Sequence, residues 1–196
     1  MHRTPAAPPQ AASHRIRWPR AAAAVAAAAI LFSVAAVAPA WSQDGTSGGA
    51  AQADPRFERL KALAGVWVGE AVLGDWKDST QVTYRVTGAG SALMEVLFEG
   101  TPHEMVTIYH LDGPDLVLTH YCAAGNQPHM KAAAGGDPDV LRFDFVRATN
   151  LASADAMHMH DAVIRFVDAN HLESTWTSYH GGKPAGEAIF RLRRKQ

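Results

Sequence analysis

The sequence predicts an all-β protein: about ten antiparallel strands closed into an up-and-down barrel, with one short helix before them. Three observations predict it. From residue 66 onward, short runs of β-branched, aromatic and aliphatic residues alternate with polar ones at period two. Turn chemistry separates the runs. "GDWKDS", "TGAGS", "EGTP", "LDGPD", "AAGNQP", "GGDPD", "DAN" and "HGGKP" supply Gly for positive φ, Pro for a fixed φ, and Asp or Asn for local side-chain bonds. Connections this tight force antiparallel neighbours. The chain also holds one cysteine, so no internal disulfide can form, and the Cys…Trp…Cys pattern of an immunoglobulin sandwich is absent. Closure into a barrel removes sheet edges without a covalent link.

Taken in order, residues 1–40 stand apart from the fold. Arg15, Arg17 and Arg20 form a basic stretch, "AAAAVAAAAILFSVAAVA" is apolar from Ala21 to Ala38, and Ala38-Pro39-Ala40 places small residues where a signal peptidase reads. We read this as a secretory signal peptide cleaved after Ala40, with cleavage after Ser42 as the near alternative. Eighteen apolar residues would just span a bilayer, so an uncleaved anchor is the competing reading. Alanine is a weak membrane residue, which favours cleavage. No cysteine follows the run to carry a lipid. Alanine-rich composition fits a GC-rich bacterium, and the expected location is periplasmic or secreted. Removing residues 1–40 takes away four arginines and no acid, leaving 14 basic against 19 acidic residues, a net charge of −5. Such a chain lacks the basic face that a nucleic acid or an anionic membrane requires. Its 156 residues suit one domain, able to bury roughly 70% of the unfolded chain's surface.

Residues 41–53, "WSQDGTSGGAAQA", have no periodicity and read as a flexible leader. The barrel domain spans residues 54–196. A helix of about ten residues opens it. Asp54 is its N-cap, Pro55 its first residue, Phe57, Leu60 and Ala64 its apolar face, and Gly65 its C-terminal cap. Strands are expected near 66–73, 80–88, 91–98, 103–112, 115–122, 128–134, 139–147, 157–168, 170–179 and 185–194. The longest gap, 148–156, reads as a loop or one helical turn.

Gly65-Val66-Trp67, after the helix and opening the first strand, resembles the Gly-x-Trp signature of the calycin barrels, the lipocalins and fatty-acid-binding proteins among them. The resemblance implies that Trp67 sits at the closed end under a basic residue of the last strand, "FRLRRK". Alternation puts Arg191 and Arg193 on one strand face and Arg194 on the other. We expect Arg193 to cover Trp67, worth about 0.5–2 kcal/mol. Gly65, Trp67 and Arg193 are thus the expected structural signature. "GVWVGE" is also similar to the opening of the nitrobindin-like haem barrels and looks like the lipocalin-like barrels common in exported bacterial proteins. The haem resemblance implies a histidine in the last strand, and "AGEAIFRLRRKQ" has none. Haem would need His171 or His180, a different site. The fatty-acid resemblance implies an Arg-x-Tyr pair, and Arg191-Leu192-Arg193 offers no tyrosine.

Two stretches concentrate polar chemistry. "LTHYCAAGNQPHM", residues 118–130, holds the only cysteine and two histidines. His120 and Cys122 share a strand face roughly 6.5–7 Å apart, close enough to ligate one soft metal. Leu116 and Leu118 share that face too, and no cation lies nearby to favour a thiolate. Strand, turn, strand with a structural cysteine is therefore the preferred reading. "MHMHD", residues 157–161, puts His158 and His160 on one face, half of a zinc or copper site at most. His-Glu-x-x-His, Cys-x-x-Cys and Gly-x-Ser-x-Gly are absent. In strand 170–179 the face of His171, Glu173, Thr175, Thr177 and Tyr179 is read as solvated.

The expected function is binding of a small, largely apolar ligand inside the barrel, with Met105, Tyr109, Leu118, His120, Phe143, His158, His160 and Trp176 as its wall. No catalytic residue, metal or cofactor is expected. The alternatives are a haem- or metal-binding barrel with a redox or scavenging role, and a cavity enzyme of proton-transfer type with His120, His158 or Glu173 as base.

Overall fold

The computed structural model describes residues 54–196, so the expected signal peptide and leader lie outside the described residues. Asp54 starts the first element, α1 (Pro55–Lys61), by accepting from the Arg56 and Phe57 amides, with Pro55 at the start of the helix. The helix is seven residues long, shorter than expected, because Ala62 rather than Gly65 ends it. Its buried face is Phe57 and Leu60, continued by Leu63, while Ala64 is exposed. Gly65 instead opens β1 at φ 132, where a side chain would meet the Arg194 guanidinium at 3.1 Å.

Ten strands follow: β1 (Gly65–Leu73), β2 (Trp76–Thr87), β3 (Ala92–Leu97), β4 (Met105–Asp112), β5 (Asp115–Tyr121), β6 (Gln127–Ala132), β7 (Val140–Thr149), β8 (His158–Phe166), β9 (His171–His180) and β10 (Lys183–Arg194). Each pairs antiparallel with its neighbours in sequence, and β1 closes on β10. β2 begins four residues before its expected start. Gly74, at φ 59, and Asp75 make a two-residue hairpin, so "WKDS" is strand rather than turn. β9 and β10 are joined in the same way through Gly181-Gly182. The ladder is shortest between β5 and β6, three pairs, and between β7 and β8, which pair only from Val140 to Phe143. Beyond that point the Asn126 amide, in the connection before β6, donates to the Met157 carbonyl just ahead of β8 at 2.8 Å.

Strand alternation makes two rims. One carries α1 and the connections after β2, β4, β6 and β8. The other carries the connections 74–75, 98–104, 122–126, 150–157 and 181–182. Trp67 lies under the first rim, 1% exposed, with its indole N–H donating to the Leu63 carbonyl at 2.8 Å and its ring edge-on to Tyr84. Arg194, not Arg193, covers it. The Arg194 guanidinium sits 4.4 Å from the ring centroid and donates to the Ala62 and Ala64 carbonyls. Register explains the correction. Trp67 pairs with Arg194 across β1 and β10, so the two share a face, whereas Arg193 pairs with Val68 and is exposed. The second glycine of "GVWVGE" is a packing requirement. A Cβ on Gly69 would lie 1.9 Å from the Arg191 carbonyl oxygen.

Candidate functional site

The barrel interior is largely apolar, and its main polar feature is a row of side chains in lateral register. Tyr84 on β2 pairs with Glu95 on β3, Glu95 with Thr107 on β4, and Thr107 with His120 on β5. Directly opposed residues on one sheet face bring their side chains within contact, so this register alone builds a polar chain around the inner wall. Glu95 is 1% exposed. Its carboxylate accepts from the Tyr84 hydroxyl at 2.8 Å and from the Tyr109 hydroxyl at 2.7 Å. Burial pushes the Glu95 carboxyl above its usual range, and the neighbouring hydroxyl groups of Tyr109, Tyr84 and Thr107 offset only part of that rise. Burial and the Glu95 charge push both tyrosines well above theirs, so they remain donors.

His120 ends the row. Its Nδ1 lies 2.9 Å from the Thr107 hydroxyl, and its ring packs at 4.7 Å on Trp176, which reaches across from β9. Burial lowers its pKa to about 4, so the ring is neutral at physiological pH. His120 Nε2, Trp176 Nε1 and the Ser174 hydroxyl are buried without a hydrogen-bond partner among the described residues. His120 and Trp176 line a cavity of about 30 Å³ with Met105, Phe98, Met159 and Phe190. Phe98 closes its outer side, held between Trp76 and Phe190 at 6.4 and 5.9 Å, with a backbone φ of 54.

The structure thus brings together Met105, His120 and Trp176 from the expected wall. Tyr109, Leu118 and Phe143 are buried in the interior, with Tyr109 holding Glu95, but they do not line this cavity. His158 and His160 do not line it either. A bulge between Met159 and Asp161 shifts the phase of β8, so Met159 packs on the core and lines the cavity. His160 is instead sandwiched between Phe145 at 4.6 Å and Tyr179 at 3.8 Å, with His158 beside it. Their Nδ1 atoms face the Ala156 carbonyl and the Asp161 carboxylate. Among the described residues no three His, Cys, Asp or Glu side chains gather as a metal site. Cys122 lies in the turn after β5, its thiol pKa raised by burial.

Tyr84, Glu95, Thr107, Phe98 and Met159 were not in the expected wall. Glu95 was signalled: Leu93, Glu95 and Leu97 alternate on one strand face, and a carboxylate between two leucines there must be buried and partnered. A wider groove of about 870 Å³ lies outside the barrel, past Glu70, Lys77, Glu173 and Arg191. Its charges answer one another. Glu70 takes Lys77 at 2.7 Å and Arg191 at 3.1 Å, and both hold its carboxyl below the usual range. We read it as a solvated charged face.

No family model and no curated protein matches the sequence. Among solved structures the chain is similar to Rv2717c from M. tuberculosis, with 18% identity and a TM-score of 0.51 over 73% of this chain and 99% of that one. It also matches a protein of unknown function from the DUF3598 family of Nostoc punctiforme, with 14% identity and a TM-score of 0.40 over 69% of this chain and 48% of that one. The first likeness extends to the fold alone, and the second is too distant to add to it.

Proposed function

We propose that this is a calycin-type exported barrel that binds a small, largely apolar molecule. The molecule is admitted at the rim opposite α1 and held against His120 and Trp176. One observation carries the reading: in a close-packed, largely apolar interior, buried polar atoms on two touching rings lack partners among the described residues, beside a cavity. Native interiors seldom leave such atoms unanswered, and a bound group is one reason that they do. The rim fits the role, because Leu73, Trp76, Tyr121 and Met157 expose large apolar surface there.

At about 30 Å³ the cavity is far below the roughly 300–1,000 Å³ of a ligand pocket, so binding requires side chains to move. Phe98 is the side chain to move. Its left-handed backbone costs a non-glycine residue about 1–2 kcal/mol, a strain held beside the cavity. Export rests on the basic stretch, apolar run and small-residue site of residues 1–40. The acidic balance of residues 41–196 leaves nucleic acid an unsuitable partner.

The haem or metal reading keeps one specific support, the unpartnered His120 Nε2 in an apolar cavity. A single preparation separates the two. The purified barrel should enhance the fluorescence of a neutral phenylnaphthylamine dye at one site per chain and show no Soret band. A Soret band lost in His120→Leu would replace this reading with the haem one. The exported protein should start at Trp41 or Gln43 by mass spectrometry, and an intact Met1 start in a membrane fraction would contradict export.

A further inference from the structure

Two histidines away from the cavity are held the way metal ligands are held. His158 Nδ1 lies 2.9 Å from the Ala156 carbonyl, which can only accept, so Nδ1 carries the proton. In the neutral ring Nε2 then keeps the lone pair, and it is buried without a partner among the described residues. His160 repeats the pattern, its Nδ1 3.2 Å from the Asp161 carboxylate. A ring N–H given to a carbonyl or carboxylate oxygen fixes the tautomer that frees Nε2 for a metal. The backbone aims the second ring. Met159 pairs with Ser178 and Asp161 with Thr177, so His160 is the extra residue of the β8 bulge, a feature that redirects a side chain. Phe145 and Tyr179 stack on His160, each with 17° between ring planes. With its faces covered, the ring offers its edge, where an imidazole nitrogen ligates.

From this pair we infer a zinc site, separate from the cavity at His120 and Trp176, in which His158 and His160 ligate one ion through Nε2. The spacing fits. With a zinc–nitrogen bond of about 2.0–2.1 Å and about 1.1 Å from nitrogen to ring centre, two imidazoles on one ion stand roughly 4.5 Å apart at a right angle and roughly 6.3 Å apart in line. The two ring centroids are 5.6 Å apart, inside that window. Imidazole suits zinc, whereas calcium and magnesium take oxygen ligands. The Asp161 carboxylate beside His160 favours a cation. Pairing of β7 with β8 stops at Phe143, and the His160 side chain is 29% exposed, which gives the ion a way in. Among the described residues no third His, Cys, Asp or Glu completes the set. The site therefore supplies two ligands and leaves the other positions to water or to a donor group from outside, as an open zinc site does.

Calorimetric titration of the chelator-treated protein with zinc chloride tests this. One ion per chain should bind in the micromolar range. His158→Gln and His160→Gln should each abolish binding, Asp161→Ala should weaken it roughly tenfold by freeing the His160 ring, and His129→Gln on β6 should leave it unchanged. Nitrogen NMR of the wild-type protein reads the site without any variant. Free His158 should show the Nδ1–H tautomer, and zinc should shift the Nε2 signals of His158 and His160 before those of the other histidines. No binding at millimolar zinc, binding that survives in both histidine variants, or shifts confined to other histidines would overturn the site. So would an Nε2–H tautomer at His158. Zinc should leave the dye affinity at His120 and Trp176 the same within a few-fold, and loss of dye binding on adding zinc would overturn the separation of the two sites.

Discussion

The two ends of the barrel are built from the same alternating strands and finished in opposite ways. Under α1 the polar groups around Trp67 are answered. The Trp67 indole donates to Leu63, Arg194 covers the ring and donates to two carbonyls, and Phe57, Leu60 and Leu63 seal the layer. At the other end His120 Nε2 and Trp176 Nε1 have no partner among the described residues, Phe98 holds a left-handed backbone, and large apolar side chains face outward. A stable fold needs only one end of the first kind. The second kind costs stability, and a site that must open is the physical reason to retain it.

The difference is sharpest in what substitutions should do. Trp67→Ala should have the largest effect, about 3–5 kcal/mol in equilibrium urea unfolding, because it empties a sealed aromatic site. A loss below about 1 kcal/mol would mean that the α1 end is not the stable one.

The open end should announce itself in pH. His120 titrates at about 4 when folded, against 6.5 for an unperturbed ring, because of its burial. The unfolded chain therefore takes up that proton first as pH falls, and the native state loses stability from about pH 6.5 down to about 4. The shift corresponds to about 3 kcal/mol in all. Glu95 acts in the opposite sense. Its carboxyl is raised, so its contribution is present at low pH and lost as pH rises through the raised value. Comparing wild type with His120→Phe, which keeps Glu95, isolates the histidine: the acid-side loss should disappear from the variant. An unchanged pH profile would place His120 in contact with solvent.

A smaller effect distinguishes the two arginines. Arg194→Ala should cost about 1–2 kcal/mol, from its stacking on Trp67 and its two carbonyl bonds. Arg193→Ala, at an exposed position opposite Val68, should stay within about 0.5 kcal/mol. The reverse order would shift the β1–β10 register by one residue.

That register marks the limit of what the sequence made legible. The ten strands were readable because Gly, Pro, Asn and Asp punctuate them, and Asp54-Pro55 announced α1. Face assignments held as long as a strand stayed regular, as in β5, where Leu116, Leu118 and His120 all turn inward. They failed where a one-residue offset intervened, because side chains alternate with period two. The bulge at Met159/Asp161 moved His158 and His160 off the cavity wall, and the Trp67–Arg194 pairing could not be counted from the strand alone. The row Tyr84, Glu95, Thr107 and His120 was hidden for a related reason. Each member is ordinary on its own strand, and only the lateral register of four strands joins them.

The central claim is that the end around His120 and Trp176 takes a ligand and the α1 end does not. Dye titration of two variants, one from each end, tests it most directly. Ala188 pairs with Trp176 and lines the cavity, so Ala188→Phe should fill the space the ligand needs. Arg194→Ala loosens the opposite end. The account predicts one dye per chain in the wild type, the same affinity within a few-fold in Arg194→Ala, and loss of binding in a folded Ala188→Phe. Binding that survives Ala188→Phe unchanged, or that disappears with Arg194→Ala, would contradict it.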